Sequence, residues 1–336
     1  IKGEVDLTVL TVSHHVKAPI QQTISGIDYR VLPASFDEQK IKSAMADLLL
    51  NEQFSVVHLF GSEYAPALWL AETLLDRGQI DRAVLHIQGL VSEIAPRYAD
   101  GIPFFWKHLR LARDLVRDGS VAKGQRDFYA RGENEKALFA LLHHVSGRTD
   151  WDRACAQRLN PRARYHCVHE TLRSSFYTHR REAEGYEKHS IFISQGSYPV
   201  KGLHQALKAL PGILRRFPDA KLYVAGDSPL RQGKDRLKES GYALYLRFLL
   251  FKNGLKDHVV FLGPLAEQDM CARYLKSHVF LSPSSIENSP NSLGEAMLLG
   301  LPSVSSDVGG VRSMMEDQKE GLLYPFSDTR ALADNV

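Results

Sequence analysis

The stretch SIENSPNSLGEAMLLG, Ser285 to Gly300, places two glutamates, Glu287 and Glu295, around the signals that start a helix. Ser289 suits an N-cap and Pro290 the first helical position, while the glycine at the end suits a stop. The stretch therefore predicts a helix over about residues 290–299. One glutamate would lie just before this helix and the other in its second turn.

A strand-like run, HVFLS, precedes this helix, so the helix would begin at the carboxyl end of a strand. Open α/β sheets bind ligands there, and free amides at a helix N-terminus attract anions. The amides of Asn291, Ser292 and Leu293 are candidates to hold a phosphate, and the two carboxylates can accept hydroxyls of different sugar rings. The pattern suggests a nucleotide sugar as ligand. It is equally compatible with two ordinary surface charges.

Short apolar runs alternate with segments of helical length along the rest of the chain, which is typical of parallel, doubly wound α/β sheets. In the second half the predicted strands are SIFISQ, KLYVAGD, HVVFLGP, HVFLSPSS and LPSVSSD. In the first half they are DLTVLTV, YRVLPA, SVVHLFG, RAVLHIQG, HHVSGRT and RYHCVHE. We expect two similar domains, residues 1–171 and 190–336, joined by a charged linker over residues 172–189. The first domain is expected to lack its first strand and the second its end.

The amino-acid composition argues against several classes of function and location. The 336 residues are 44% apolar, enough for two cores. The net charge of +3 is too small to indicate a nucleic-acid-binding surface. Cys155, Cys167 and Cys271 are scattered, which argues against a disulfide framework and favours a reducing, cytoplasmic compartment. Without an apolar run of about 18 residues, membrane contact is expected to be peripheral.

The segment SIENSPNSLGEAMLLGLPSVSSDVGG resembles the signature of the family-4 retaining glycosyltransferases, whose GT-B fold has two facing Rossmann-like domains. The likeness continues through FISQGSYPVKGLHQALKAL, FPDAKLYVAGD and HVVFLGPLAEQDMCARYLKSHVFLSPS. In the first half IQGLVSE, VSGRTDWDRA and HETLRSSFY are similar to a bacterial branch associated with capsule and exopolysaccharide assembly.

The resemblance implies roles for individual residues. Glu287 would contact hydroxyls of the transferred sugar, Glu295 the ribose hydroxyls and Lys201 the phosphates. It places further donor-binding residues in the loops that follow the strands: Gly196, Ser197, Gly263, Leu265, Ser289, Asn291, Ser292, Leu293, Gly309 and Gly310. It also implies transfer with retention, without a protein base, in which the nucleotide sugar is a substrate and no cofactor or metal is needed.

Two departures from the family pattern affect the expected site. The family usually has an arginine shortly before the lysine as a second phosphate clamp, but SQGSYPVK offers only Gln195 and Ser197. The usual glycine and aromatic residue after the first glutamate are replaced by residues 288–290. The second clamp and the sugar selectivity are therefore left open.

The first domain is expected to supply the site for a saccharide or lipid-linked acceptor. His86, Gln88 and Gly89 end the strand AVLHIQG, and Gln88 is the strongest candidate for the reaction centre. Arg148 and Glu170 could equally form structural salt bridges. Competing functions are a nucleotide-sugar epimerase or hydrolase on the same fold and a binding protein without turnover.

The segment FFWKHLRLARDLVR, Phe104 to Arg117, predicts an amphipathic helix. Phe105, Leu109, Ala112 and Val116 share one side, and basic residues share the other. Such a helix can lie in an anionic membrane surface, or it can pack its apolar side on the first domain.

Overall fold

The computed structural model describes residues 5–110, 119–182, 184–231 and 239–336. The first half contains seven described strands: β1 Thr8–Ser13, β2 Ile20–Ile24, β3 Ile27–Pro33, β4 Val57–Phe60, β5 Ala83–His86, β6 His144–Gly147 and β7 Arg164–Cys167. Its described helices are α1 Glu38–Asn51, α2 Ala65–Asp76, α3 Val91–Arg97, α4 Phe104–His108, α5 Val121–Leu141, α6 Asp150–Leu159 and α7 Ser175–Thr178.

The strands of the first half form two separate sheets in the described residues. One has the order β1-β3-β2, and β2 runs antiparallel to β3. The other is fully parallel in the order β4-β5-β6-β7. The six strands predicted from the sequence are all present. The hairpin strand β2 was not predicted, because all of its residues are exposed and show no apolar alternation.

The second half contains the strands β8 Ser190–Ile193, β9 Lys221–Ala225, β10 Val259–Gly263, β11 Val279–Ser282, β12 Ser303–Ser306 and β13 Leu322–Tyr324. Its described helices are α8 Leu203–Arg216, α9 Gly241–Lys252, α10 Glu267–Lys276, α11 Asn291–Leu298 and α12 Thr329–Asn335. The short strand β13 was not predicted from the sequence.

The second sheet is fully parallel in the order β10-β9-β8-β11-β12-β13. Counted within this half, the order is 3-2-1-4-5-6, which is the doubly wound Rossmann order. The strand order reverses between β8 and β11, so a crevice forms at their carboxyl ends. The loops that leave these two strands carry Lys201 and Glu287, which puts both residues at the position where such sheets bind ligands.

The two halves pack on each other through apolar side chains. Ala99, Ile102 and Val121 from the first half are buried in the same cluster as Leu203 and Leu207 of α8. Polar contacts add to this packing: the Lys208 ammonium donates to the carbonyl of Gly101 at 2.6 Å. The region between β7 and β8 contains only the short helix α7 as regular structure among its described residues.

The structure corrects the helix predicted over Phe104 to Arg117. Helix α4 ends at His108, and Leu109 has an extended backbone with φ −60° and ψ 121°. Phe105, predicted on the apolar side of the helix, is exposed together with Phe104, whereas Trp106 packs on Tyr245 of α9 at 5.4 Å between ring centroids. A continuous amphipathic helix is therefore wrong for the start of this segment. Its members Ala112, Arg113, Val116 and Arg117 lie outside the described residues.

None of the helices in the described ranges combines the length and the apolar character that crossing a bilayer would need.

Candidate functional site

The loop after β8 is held against the loop after β11 by a glycine. A 3-10 turn over Pro199–Lys201 ends at Gly202, which has φ +68°. A Cβ at Gly202 would collide with the carbonyl of Pro283. Ser285 donates its backbone N–H to the Val200 carbonyl at 2.8 Å. This close approach brings Lys201 to the loop that carries Glu287.

Lys201 and Glu287 form an ion pair, with 2.7 Å between Nζ and Oε1. The Ser284 hydroxyl donates to the same carboxylate oxygen at 2.6 Å. Burial favours the neutral amine, but the Glu287 carboxylate and the Tyr198 side chain outweigh burial and raise the pKa of Lys201. Lys201 is therefore a charged ammonium at neutral pH, placed in a crevice where an anion can replace or join its present partner.

Two glycines after β12 hold the backbone of the Glu287 loop. Gly310 donates its N–H to the Glu287 carbonyl at 3.0 Å. Gly309 has φ +52°, and a Cβ there would collide with that same carbonyl. A Cβ at Gly310 would meet the Asn288 carbonyl and lie 2.7 Å from the Thr149 hydroxyl of the first half. Only glycines allow the three segments to meet.

Helix α11 begins one residue later than predicted. Pro290 is its N-cap residue, with an extended backbone, and no side chain caps the helix. The Ser289 hydroxyl lies 3.4 Å from the Met314 sulfur, so the prediction of Ser289 as the cap is wrong. The amide of Leu293 donates to the Pro290 carbonyl at 3.0 Å, which leaves Asn291 and Ser292 as the better amide candidates for an anion.

Glu295 lies buried in α11 and binds an arginine that the sequence did not point to. Arg173 donates from Nε to Oε1 and from Nη2 to Oε2, both at 2.7 Å. Arg173 belongs to the segment between β7 and β8, so its distance in sequence from α11 concealed the pair. Its occurrence in HETLRSSFY was the only available signal.

A chain of polar contacts crosses from the first half to α11. Gln88 Nε2 donates to Glu170 Oε1, and His86 Nε2 lies 2.8 Å from the same oxygen. Arg148 Nη1 donates to Glu170 Oε2 at 3.0 Å and to Asn291 Oδ1 at 2.9 Å. Gln88 is thereby connected to the predicted phosphate-binding end of the helix through two residues whose roles the sequence left open.

Thr149 makes a second connection across the same boundary. Its hydroxyl donates to Asn288 Oδ1 at 3.0 Å. Asn288 is one of the residues that depart from the family pattern. Through this bond its buried amide joins the second half of the chain to the first. Nothing in the sequence spacing indicated this contact.

The other predicted donor residues lie in the loops after β8 and β10. Gly196 is buried, and a Cβ there would lie 2.7 Å from Val224. The Gln195 side chain accepts from the Gly196 amide at 3.1 Å, so it bonds to its own loop. Ser197 is half-buried nearby. Gly263 has φ +76°, and a Cβ there would meet no neighbouring atom. Leu265 packs against the apolar cluster that contains Leu293.

Among the described residues, no group of three or more histidine, cysteine or acidic side chains is arranged to hold a metal ion. Asp150 and Asp152 form an Asp-x-Asp pair at the start of α6. Asp152 is buried: its carboxylate accepts from the Thr149 amide and its backbone N–H donates to the Thr149 hydroxyl, so the carboxylate already has a structural role in a capping box.

Residues 187–336 match a family model described as "Glycosyl transferases group 1". The chain is 30% identical over 145 residues to a phosphatidyl-myo-inositol mannosyltransferase of Mycobacterium leprae, a match that covers 43% of this chain and 35% of that protein. It is 26% identical to a GDP-mannose-dependent alpha-(1-6)-phosphatidylinositol monomannoside mannosyltransferase of Mycobacterium tuberculosis, covering 69% of this chain and 56% of the relative. The chain thus spans between about a third and just over half of these relatives.

Solved structures show the same fold over almost the whole chain. The sucrose-phosphate synthase of Thermosynechococcus elongatus aligns with a TM-score of 0.69 and 16% identity, over 98% of this chain and 78% of the other. Anabaena HepE, solved in complex with UDP, aligns with a TM-score of 0.63 and 14% identity, over 92% of this chain and 76% of the other. At these identities the likeness concerns the fold. Residues 187–336 are thus similar to group 1 glycosyl transferases, and the chain has the two-domain GT-B fold.

Proposed function

We propose that this protein transfers a sugar from a nucleoside diphosphate sugar to a saccharide or lipid-linked acceptor, with retention of anomeric configuration and without a metal ion. The observation that carries the proposal is the Lys201–Glu287 pair at the point where the strand order of the second sheet reverses. A cation for the diphosphate and an acceptor for sugar hydroxyls lie there side by side.

The reaction breaks the bond between the anomeric carbon and the diphosphate oxygen. The acceptor oxygen bonds the same face of that carbon, and its proton passes to a phosphate oxygen of the leaving group. Lys201 and the amides at the start of α11 stabilise the charge that develops on the diphosphate. Glu287 positions the sugar, Glu295 binds the ribose hydroxyls, and Gln88 faces the reaction from the first half.

The activities and ligands of similar proteins support a nucleotide-sugar donor. Two mycobacterial relatives are mannosyltransferases, one of them named for GDP-mannose, whereas the Anabaena structures contain UDP or UDP-glucose. These proteins differ in the base and sugar of their donors, so a screen of donors has to identify both for this protein.

A thermal-shift screen of nucleotide sugars tests the donor, because a ligand that binds only the folded state raises the melting temperature. The stabilising donor is then incubated with candidate acceptors in the presence and absence of EDTA. We expect a product whose anomeric configuration, read by NMR, equals that of the donor, at a rate that EDTA does not change. A free sugar or an epimer from donor alone, or binding without turnover, would replace the proposal with one of the competing functions.

For the acceptor side we propose that the protein meets an anionic membrane surface through helix α4. Phe104 and Phe105 are 79% and 65% exposed, and Lys107 stands beside them. Phe251, on the neighbouring helix α9, is 89% exposed and is followed by Lys252. Exposed aromatic rings flanked by lysines are suited to a membrane interface with acidic lipids.

Sedimentation with vesicles tests the membrane contact. The protein should sediment with vesicles that contain phosphatidylserine and detach at high salt, and the double variant Phe104→Ser/Phe105→Ser should stay in the supernatant. Leu50→Ser, which removes an exposed apolar side chain of α1, is the matched control. Equal binding to neutral vesicles, or binding that survives the double substitution, would contradict the proposal.

A further inference from the structure

Among the described residues assigned to the donor site, Lys201 is the only cation from the second half, whereas a diphosphate carries more than one negative charge. The residue that usually supplies the second cation is absent, and Gln195 bonds to the amide of Gly196 in its own loop. The remaining negative charge therefore needs a partner from elsewhere in the fold.

Arg148 lies at the place where this partner is needed. It follows β6 in the first half, its side chain is only 7% exposed, and Nη1 donates to the Asn291 side chain at the first residue of α11. The guanidinium is thus next to the uncapped N-terminus of the helix. The backbone amides at this helix end and the guanidinium both donate hydrogen bonds to anions, so together they favour a bound anion.

Two buried donors beside this helix end have no partner in the described part of the chain. One is Arg148 Nε, and the other is Nδ2 of Asn288. Arg148 belongs to the first half of the chain and Asn288 to the second. The two lie close together, since Thr149, the neighbour of Arg148, donates to Oδ1 of the same Asn288 amide. Buried donors without a partner are rare in folded proteins, and a site that is completed by an anionic ligand accounts for both.

Glu170 explains how the arginine is kept in place before a ligand binds. Its Oε2 accepts from Arg148 Nη1 at 3.0 Å, while its Oε1 interacts with His86 and Gln88. The pair compensates the buried positive charge, and the guanidinium still has Nε free to donate. The planar fork of the guanidinium can hold a carboxylate with one N–H and a phosphate with another in a fixed geometry, which the single ammonium of a lysine does not impose.

We propose that Arg148 is the second phosphate-binding cation of the donor site, contributed by the first half of the chain, with Asn288 and the first amides of α11 completing the diphosphate subsite. This inference rests on the proposed function. It gives the first half a direct part in donor binding, and it makes donor affinity depend on the approach of the two halves.

Calorimetric titration of UDP and GDP, each compared with uridine or guanosine, tests this role. For the diphosphate that binds the wild type, Arg148→Gln should weaken binding at least tenfold and leave binding of the nucleoside unchanged. Arg148→Lys should fall in between, because it keeps the charge and loses the fork. The matched control is Arg158→Gln, which removes an exposed first-half arginine paired with Glu93.

Variants of Glu170 separate a contact to phosphate from a merely structural effect. Glu170→Gln leaves the arginine without its acidic partner and should bind the diphosphate at least as tightly as the wild type does. The double variant Arg148→Gln/Glu170→Gln has no unpaired buried charge and should bind as weakly as Arg148→Gln. Equal weakening by Glu170→Gln alone, or equal losses for nucleoside and diphosphate in Arg148→Gln, would overturn the proposal.

Lys201→Ala distinguishes this inference from the proposed function. If Lys201→Ala weakens diphosphate binding and Arg148→Gln does not, the donor site stands and the role of Arg148 is wrong. If the wild type binds none of UDP, GDP, ADP, CDP and dTDP, both are wrong.

Discussion

Arg173 and Glu295 form a two-point ion pair that fastens the segment between the two halves to helix α11. Both hydrogen bonds measure 2.7 Å, and the carboxylate is buried whereas the arginine side chain is 38% exposed. The guanidinium also lies over the Phe176 ring at 4.8 Å. Any ribose hydroxyl that binds Glu295 therefore meets a carboxylate already oriented by Arg173.

The first prediction concerns the stability that this pair supplies. Arg173→Ala should lower the free energy of unfolding by about 1–3 kcal/mol, because it leaves a buried carboxylate without its partner, and the partial exposure of the arginine limits the loss. Urea unfolding measures the change. Arg180→Ala, an exposed arginine of the same segment, is the control and should change stability little. Equal stability of the two variants would show that the pair contributes nothing.

The second prediction separates binding from transfer at Glu287. Glu287→Gln keeps the size of the side chain but releases the Lys201 ammonium, so free nucleoside diphosphate should bind about fivefold tighter, equivalent to about 1 kcal/mol. Transfer should nevertheless fall by about 100-fold or more, because the contact to the sugar is lost. Titration and initial rates measure the two effects. Glu184→Gln, at an exposed glutamate, is the control, and weaker diphosphate binding in Glu287→Gln would contradict the prediction.

The third prediction tests the close packing at Gly309. Gly309→Ala and Gly254→Ala both place a side chain on a left-handed backbone, at φ +52° and +64°, but only the first meets a neighbouring atom. Gly254→Ala should cost about 1 kcal/mol of folding free energy, and Gly309→Ala about 1–3 kcal/mol more. Thermal unfolding compares them. Equal costs would mean that the Glu287 loop yields without strain.

The fourth prediction is a pH dependence from His204. The ring is fully buried between the Asp100 carbonyl at 2.9 Å and the Tyr242 hydroxyl at 3.2 Å, and burial, with the Lys208 charge nearby, lowers its pKa to about 3. The unfolded chain takes up a proton below about pH 6.5 and the folded chain does not, so this group makes stability fall as the pH decreases towards 3.

At pH 5 this difference amounts to about 2 kcal/mol relative to pH 7. His204→Gln should therefore have a flatter stability profile between pH 7 and pH 5, measured by urea unfolding at each pH. His14→Gln, at an exposed histidine, should follow the wild-type profile. Parallel profiles for His204→Gln and the wild type would show that the buried ring is protonated in the folded state.

The sequence predicted the parts of this molecule that local patterns determine. Buried strands of parallel sheets, such as β8 and β11, are short runs of apolar residues between loops, and they lie where the patterns placed them. Glu287 and Lys201 could be assigned to the donor site because each follows a predicted strand and lies in a segment that resembles the family, but the strand order that brings their loops to one crevice came from the structure. The pairing of Glu295 with Arg173 could not be predicted, since it joins residues 122 positions apart through a segment without regular pattern.

The same limit applied to the contacts between the halves. Arg148 and Glu170 were ambiguous in the sequence because a salt bridge and a ligand contact use the same side chains. The structure shows the salt bridge between them and also the approach of Asn291 to the guanidinium, on which the proposed phosphate contact rests. The predicted helix over residues 104–117 was wrong at its start because the amphipathic pattern took no account of Trp106 packing on α9.

The shared apolar cluster has a consequence for attempts to divide the protein. A fragment of residues 187–336, which corresponds to the matched family model, would leave behind Ala99, Ile102 and Val121, and would uncover the face of α8 that carries Leu203 and Leu207. It would also lose the carbonyl of Asp100 that satisfies the buried His204. The fragment is therefore not an autonomous folding unit with a solvated surface, and the intact chain should unfold in one cooperative transition.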